Sequence, residues 1–207
     1  MDRMGGCSPE RARRLKAFPV GVARTLLFTL LGNAAVKKMI RRRSVAWEWD
    51  ADNDRILTST SLRDLYGISA LTGVSQGFSL LHPDDYERHQ TLVHAAVDRG
   101  RGYRSSFRII RPDTERVVWI DERAEAIGRG GTGPPMLIGV AFDAGVRHHR
   151  GVAPSVVRAL DALEAFGDAL LTTYAANLRH AQPRATQVVA GQWIQWAESA
   201  FSDRDTV

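Results

Sequence analysis

Apolar and polar residues alternate with a period of two over several short stretches in the middle of the chain. Ser44–Asp50 shows this pattern, Arg55–Ser59 reads as a second short strand, and the segment Asp52-Asn53-Asp54 between them has the composition of a tight turn. Because the side chains of a strand point alternately to its two faces, the two stretches predict a β-hairpin. Three further strands are predicted, separated by turns rich in Pro, Asp and Gly, at Tyr103–Arg111, Arg116–Ile127 and Met136–Phe142.

A helix with a well-marked start and end is predicted between the second and third strands. Pro83 suits the first helical position, and Asp84 and Asp85 complement the positive end of the helix dipole. The apolar period of this helix continues to Arg99, and Gly100 follows. Two strands, a helical stretch and a three-stranded meander predict an α+β domain, with helices on one face of an antiparallel sheet.

Helical spacing returns after the last predicted strand. Apolar or small residues recur there at alternating spacings of four and three, which is a short seam of the coiled-coil type, at Val156, Leu160, Leu163, Gly167, Leu170 and Tyr174. A second helix is predicted at Thr186–Phe201, and its residues Trp193 and Trp196 indicate a buried docking face, within the chain or between chains. The chain therefore divides into an N-terminal helical extension (1–43), a central domain (44–147) and a C-terminal helical extension for dimerisation or output (148–207).

The basic residues are concentrated at the N-terminus. The first 43 residues hold 11 Lys and Arg against two acidic residues, whereas the remaining residues hold 17 Arg against 21 acidic residues. Such an arm attracts polyanions, and Arg41, Arg42 and Arg43 are candidates for contact with a membrane surface or nucleic acid. The alternative is a solvated helix with a basic face. The apolar run Thr25–Val36 is shorter than the ~20 residues that cross a bilayer, so an amphipathic helix is predicted.

The overall composition is that of an ordinary globular protein, with 44% hydrophobic and 25% charged residues. The single cysteine, Cys7, forms no internal disulfide, which favours a reducing, cytoplasmic location. No nucleophile elbow or phosphate-binding loop is present, so no enzyme active site is expected. Asp121 and Glu122 are expected to be solvated charges, and His148-His149 has no third metal ligand nearby in sequence.

Four motifs of the central domain occur in the order and at the separations of the PAS family. They are Trp47-Glu48-Trp49-Asp50, Leu65-Tyr66-Gly67, Leu81-His82-Pro83-Asp84-Asp85, and a PAC-like pattern of Phe107–Asp113, Arg116–Trp119, Gly139-Val140 and Asp143. The segment from Val45 to Asp143 therefore resembles a PAS domain with a C-terminal PAC motif. This resemblance implies a five-stranded antiparallel sheet that cups a small cavity, and a role as a sensor, a dimerisation module or both.

The resemblance also suggests which residues line the cavity and which cofactors it accepts. The candidates for core and cavity lining are Trp47, Trp49, Phe78, His89, Val93, Phe107, Trp119 and Phe142. In haem-binding members of the PAS family, the histidine that binds the iron lies on this same helix. Haem is disfavoured here, because His89 lies one residue from that position, which rotates its side chain by about 100° around the helix. Covalent flavin photochemistry is excluded by the lack of a cysteine in the domain. Non-covalent flavin stays open, and the identity of any ligand is unknown.

Two main functions are indicated by these observations. The first is a cytoplasmic signalling module that forms a homodimer through its flanking helices and passes the state of a small ligand or a protein partner through helix packing. The second is an adaptor without a ligand, whose central domain only dimerises or binds a signalling protein. Attachment of the basic arm to a membrane or to nucleic acid is a third possibility.

Overall fold

The computed structural model describes residues 43–128, 136–148, 152–180 and 191–201. The strands are β1 (Ser44–Asp50), β2 (Arg55–Thr58), β3 (Tyr103–Ile110), β4 (Val117–Ile127) and β5 (Met136–Asp143). The helices are α1 (Leu62–Tyr66), α2 (Val74–Ser79), α3 (Pro83–Arg99), α4 (Gly145–His148), α5 (Pro154–His180) and α6 (Gln192–Phe201). Each strand agrees with its predicted range to within one residue at either end.

The five strands form a single antiparallel sheet in the order β2-β1-β5-β4-β3. Strand β5 is central, and its sequence is apolar from Met136 to Phe142 because both of its faces are covered. Leu137 and Ala141 point to one face, whereas Ile138, Val140 and Phe142 point to the other. The predicted α+β fold with a five-stranded antiparallel sheet is confirmed.

Two hydrophobic cores lie on opposite faces of the sheet. The inner core joins the sheet to α1, α2 and α3, and it includes Leu65, Val93 and Phe107. The outer core joins the sheet to α5 and α6, and it includes Leu163 and Trp193. The three helices between β2 and β3 therefore lie on one face, as predicted, while the C-terminal helices cover the other face.

Helix α3 begins and ends as its sequence predicts. Pro83 occupies the first turn after His82, whose Nδ1 accepts a hydrogen bond from the Asp84 backbone N–H at 3.3 Å. The buried Asp85 accepts hydrogen bonds from the Arg108 backbone N–H at 2.9 Å and from Arg108 Nε at 2.7 Å. The helix ends at Gly100, whose φ of 59° is the left-handed conformation that favours glycine. These contacts fix the start of α3 to β3, and thereby fix the helix over the sheet.

The apolar seam of α5 packs against the sheet of the same chain. Leu160, Leu163 and Leu170 are buried in the outer core, and Gly167 lies so close to the Phe142 ring that a side chain there would overlap it. The heptad-like spacing therefore serves packing of a helix on a sheet. In this chain the seam is therefore covered by its own sheet.

Helix α6 is held to the outer face by buried polar contacts as well as by apolar ones. Glu48 of β1 accepts hydrogen bonds from the backbone N–H groups of Gly191, at 2.6 Å, and Trp193, at 2.9 Å. The Trp193 indole N–H donates to the Gly139 carbonyl of β5 at 3.1 Å. Trp193 is fully buried, so the predicted tryptophan docking face exists and lies within the chain.

Some predictions concern parts of the chain outside the described residues. These are the N-terminal extension up to residue 42, including Arg41 and Arg42, the first part of the second C-terminal helix (residues 186–190), and His149. Among the described residues, no helix combines the length and the apolar character that crossing a membrane requires.

Candidate functional site

A cavity of about 80 Å³ lies between the inner face of the sheet and helices α1, α2 and α3. Its wall is mainly aromatic and aliphatic, with a few polar groups on one side. The lining residues that matter for its chemistry are Trp47, Trp49, Tyr66, Phe78, His89, Tyr103, Phe107 and Glu122. A largely apolar cavity with a few convergent polar groups is the usual form of a small-molecule site.

Six of the eight residues proposed from the sequence line this cavity. They are Trp47, Trp49, Phe78, His89, Val93 and Phe107. They come from β1, α2, α3 and β3, so the fold brings together side chains that are distant in sequence.

The proposed positions of Trp119 and Phe142 need correction, because both side chains point away from the cavity. In β4 the inward positions are Ile120 and Glu122, so Trp119 lies on the outer face, where its ring stacks on His148 with centroids 4.1 Å apart. Phe142 belongs to the outer core and packs against Gly167 of α5. Both errors come from choosing the wrong face of a strand that is covered on both sides.

The polar side of the cavity is built around Glu122 of β4. The Tyr103 hydroxyl of β3 donates a hydrogen bond to Glu122 Oε1 at 2.6 Å. His89 Nε2 of α3 lies 3.7 Å from the same oxygen, and His89 Nδ1 is 3.1 Å from Ser105 Oγ. His89 and Glu122 are only 5% and 6% exposed, so the cluster is shielded from bulk water.

Burial shifts the pKa values of both groups towards their neutral forms. Desolvation raises the pKa of Glu122 to about 7. The hydrogen bond from Tyr103 and the nearby Trp47 oppose this rise, because both lower the pKa of the carboxyl. Desolvation lowers the pKa of His89 to about 4, and the positive charge of Arg88 adds to this effect. Although the two side chains are close, a neutral imidazole 3.7 Å from the carboxyl group does not form a salt bridge at neutral pH. The cluster can therefore exchange hydrogen bonds with a ligand.

The Trp47 indole N–H borders this cluster. Its Nε1 is buried and has no hydrogen-bond partner of standard geometry among the described residues. The same group is nevertheless close enough to Glu122 to lower the pKa of that carboxyl. The cavity therefore presents a donor that a small movement towards Glu122 would satisfy.

Sequence analysis missed Glu122, Tyr103, Tyr66 and Ser105 as part of the site. The expectation that Glu122 is a solvated charge is wrong, because it points inward with Ile120 and Ala124. The period of two in β4 carries this signal, since a carboxyl two residues from buried apolar positions shares their face. Asp121, also expected to be solvated, is largely buried and pairs with Arg147 at 2.6 Å.

Within the part of the chain that the structure describes, no three His, Cys, Asp or Glu side chains come together in a way that could hold a metal ion. His148, considered for that role, stacks on Trp119 on the outer face of the sheet. Its ring is therefore in contact with an aromatic face and lies away from the cavity.

Comparison with known proteins identifies the domain. A family model described as the PAS fold matches residues 55–141. No curated protein matches the chain. Among solved structures, the N-terminal domain of a diguanylate cyclase with PAS/PAC sensor from Marinobacter aquaeolei is 19% identical with a TM-score of 0.49, over 52% of this chain and 100% of that chain.

Two further solved structures are similar to the chain at lower TM-scores. A sensory box histidine kinase/response regulator from Burkholderia thailandensis is 19% identical with a TM-score of 0.44, over 59% of this chain and 86% of that chain. A LOV protein from Rhodobacter sphaeroides is 15% identical with a TM-score of 0.41, over 78% of this chain and 99% of that chain. The matched residues 55–141 span β2 to β5 and the three helices over the cavity. Residues 55–141 are therefore identified as a PAS domain.

Proposed function

We propose that this chain is a sensor module of signal transduction, in which a small molecule in the cavity changes the docking of the C-terminal helices. One observation carries the proposal: the strands that line the cavity on their inner face hold α5 and α6 on their outer face. A change on one face of a strand moves its backbone, and the other face shares that backbone. The proposal assigns no catalytic step to the chain.

The first connection runs through β1 and β5 to α6. The Trp47 ring lines the cavity and packs directly against Gly139, where a side chain would overlap it. The Gly139 carbonyl accepts the hydrogen bond of Trp193, and Glu48, next to Trp47, binds the N-terminus of α6. A shift of the Trp47 ring on ligand binding would therefore act on both polar contacts that hold α6.

The second connection runs through β4 to α5. Glu122 points into the cavity, while Asp121 and Arg123 on either side of it point outwards. Arg147 bridges this strand to α5, since it binds Asp121 at 2.6 Å and Glu164 of α5 at 2.5 Å. Arg123 lies 3.9 Å from the same Glu164. A change at Glu122 would therefore reach α5 through its two neighbours in sequence.

The mechanism requires two arrangements of the helices that differ in their affinity for the ligand. A ligand shifts such an equilibrium only by the difference between its two binding free energies. The buried seam of α5 indicates that the signal is carried by docking within the chain. Dimerisation, if it contributes, would use surfaces other than that seam.

A cavity-filling substitution tests the connection without knowledge of the ligand. Gly77 of α2 lines the cavity, and a Cβ placed on it meets no other atom. Gly77→Leu is therefore expected to fill part of the cavity while favouring the helix. Hydrogen–deuterium exchange of α5 and α6 in the full chain is the measurement. A coupling of about 1 kcal/mol corresponds to a roughly fivefold change in the exchange of α6.

Ser75→Leu is the matched control, because Ser75 is an exposed residue of the same helix. Exchange of α5 and α6 is expected to stay at the wild-type level in this variant. Equal exchange in Gly77→Leu and Ser75→Leu would favour the alternative, an adaptor whose cavity has no regulatory role. Native mass spectrometry of the freshly purified chain then shows directly whether a small molecule accompanies it, and in what stoichiometry.

A further inference from the structure

The composition of the cavity wall limits the chemistry of its ligand. Among the described lining residues, six aromatic rings from four different elements surround a single acidic group, and they are Trp47, Trp49, Tyr66, Phe78, Tyr103 and Phe107. The acidic group is Glu122, which is 6% exposed. Aromatic faces carry partial negative charge and attract cations, most strongly where water is excluded.

Among the described residues that line the cavity, none carries a positive charge that would balance Glu122. Neither Lys nor Arg is among the described residues that line it, and the nearest basic group is His89 Nε2 at 3.7 Å. Burial keeps that imidazole neutral, since it lowers the pKa of His89 to about 4. An isolated buried carboxylate is costly unless a counter-charge is supplied. The wall therefore lacks the one component that would complete an ion pair.

We infer that the cavity binds a small organic cation of the alkylammonium class, held by the aromatic rings and paired with Glu122. This inference rests on the proposed sensor function and names the ligand class of the same cavity. An anion is disfavoured by Glu122, and a neutral molecule gains less than a cation from the negative faces of the rings. A cation gains from both.

The size of the cavity limits the ligand further. An engineered protein cavity of about 150 Å³ holds benzene, which has six non-hydrogen atoms. By that scale, the cavity of about 80 Å³ has room for a ligand of roughly three to five non-hydrogen atoms. Ethylammonium, with three, is a suitable probe, and it stays protonated near neutral pH, as lysine does.

Binding of the cation is coupled to ionisation of Glu122. The other titratable groups that face Glu122 are Tyr66 of α1, Tyr103 of β3 and His89 of α3. Burial raises the pKa of both tyrosines well above their usual value, so both stay neutral. On α3, Arg88 and Asp85 act on His89 in opposite directions. The walls from β1 and α2 contribute Trp47 and Phe78, which do not titrate.

The pH dependence of binding depends on this set of groups. The pKa of Glu122 is raised to about 7, so about a tenth of the carboxyl is ionised at pH 6 and about nine tenths at pH 8. If only the ionised form binds the cation, affinity rises about tenfold from pH 6 to pH 8.

The experiment is an NMR titration of the full chain with ethylammonium chloride, ethanol and sodium acetate at constant ionic strength. Ethanol has the shape of ethylammonium without its charge, and acetate has the opposite charge. The indole N–H signals of Trp47 and Trp49 report occupancy, and the Glu122 carboxyl carbon reports ionisation. We expect ethylammonium to bind in preference to both comparators, about tenfold more tightly at pH 8 than at pH 6.

Glu122→Gln separates the charge from the shape of the side chain. In this variant, ethylammonium is expected to bind at pH 8 no more tightly than to the wild type at pH 6, with no dependence on pH. Glu87→Gln, which removes an exposed carboxyl of α3, is the control for net charge and is expected to bind as the wild type does.

Three results would overturn the inference. The first is binding of ethanol as tight as, or tighter than, that of ethylammonium. The second is binding of ethylammonium to Glu122→Gln that is unchanged from the wild type. The third is that none of the three probes changes the signals of the cavity residues. None of these bears on the exchange of α5 and α6 in Gly77→Leu, so the sensor function is tested separately.

Discussion

The buried carboxyl of Glu122 makes a quantitative prediction about the stability of the free protein. Its ordinary pKa is 4.5, and burial in the folded chain raises the pKa to about 7. Below pH 4.5, the group is protonated in both the folded and the unfolded chain. Between pH 4.5 and 7, the unfolded chain loses this proton first, so folding becomes progressively less favourable as the pH rises. Above pH 7, the full cost is present.

The size of the effect is set by the difference between the two pKa values. Each pKa unit is worth about 1.4 kcal/mol, so the ionised group lowers the free energy of unfolding by about 3 kcal/mol at high pH. Between pH 5 and pH 8 the change is about 2.5 kcal/mol. Glu122→Gln keeps the shape and the acceptor for Tyr103 but cannot ionise. This variant should therefore gain about 2.5 kcal/mol relative to the wild type on going from pH 5 to pH 8.

Urea denaturation at pH 5 and pH 8, followed by tryptophan fluorescence, measures this difference. For each protein, the free energy of unfolding at pH 8 is subtracted from that at pH 5, which removes any structural effect of the amide that is the same at both pH values. Comparison of the two differences then cancels the contribution of His89, which both proteins contain. Glu87→Gln again serves as the control for loss of a charge. Parallel pH profiles of wild type and Glu122→Gln would refute the reasoning, because they would mean that the carboxyl is hydrated in the folded chain.

Two more substitutions test the contacts between the sheet and the C-terminal helices. Glu48→Ala leaves the backbone N–H groups of Gly191 and Trp193 without their acceptor. We therefore expect the free energy of unfolding to fall by roughly 2 kcal/mol and hydrogen exchange in α6 to become faster. The control Gln195→Ala, at an exposed position of the same helix, should stay at the wild-type level. Gly139→Ala places a Cβ against the Trp47 ring and the β4 backbone, so we expect the free energy of unfolding, measured in urea, to fall by roughly 1–3 kcal/mol. Gly77→Ala adds its Cβ in open space and should not destabilise the protein. Equal stabilities of the two variants would contradict the packing argument.

The sequence was sufficient for the elements of the domain and for their order. The period of two in Ser44–Asp50 and the capped helix from Pro83 are local signals, because hydrogen bonds and side-chain directions within a few residues set them. The motifs around these elements then indicated the PAS family. Six of the cavity residues could be named as well, since they lie on the inward positions of those elements.

The sequence did not indicate which partner the C-terminal helices have. The spacing of Leu160, Leu163 and Leu170 is suited both to a second helix and to a sheet, since each offers an apolar surface to a helical stripe. The outer face of β5 decides in favour of the sheet, because Ile138 and Phe142 on that face are not covered by α1, α2 or α3 and are buried by α5.

Which face of β4 forms the cavity was likewise decided only by tertiary structure. Val117–Ile120 is apolar without interruption, so its pattern is the same for either choice of inward face, and Trp119 cannot be assigned from it. The sequence determined the elements and the family, because those depend on neighbouring residues. The tertiary structure determined the buried charge of Glu122, because its environment is assembled from β3, α1 and α3, which contact β4 only in the folded chain.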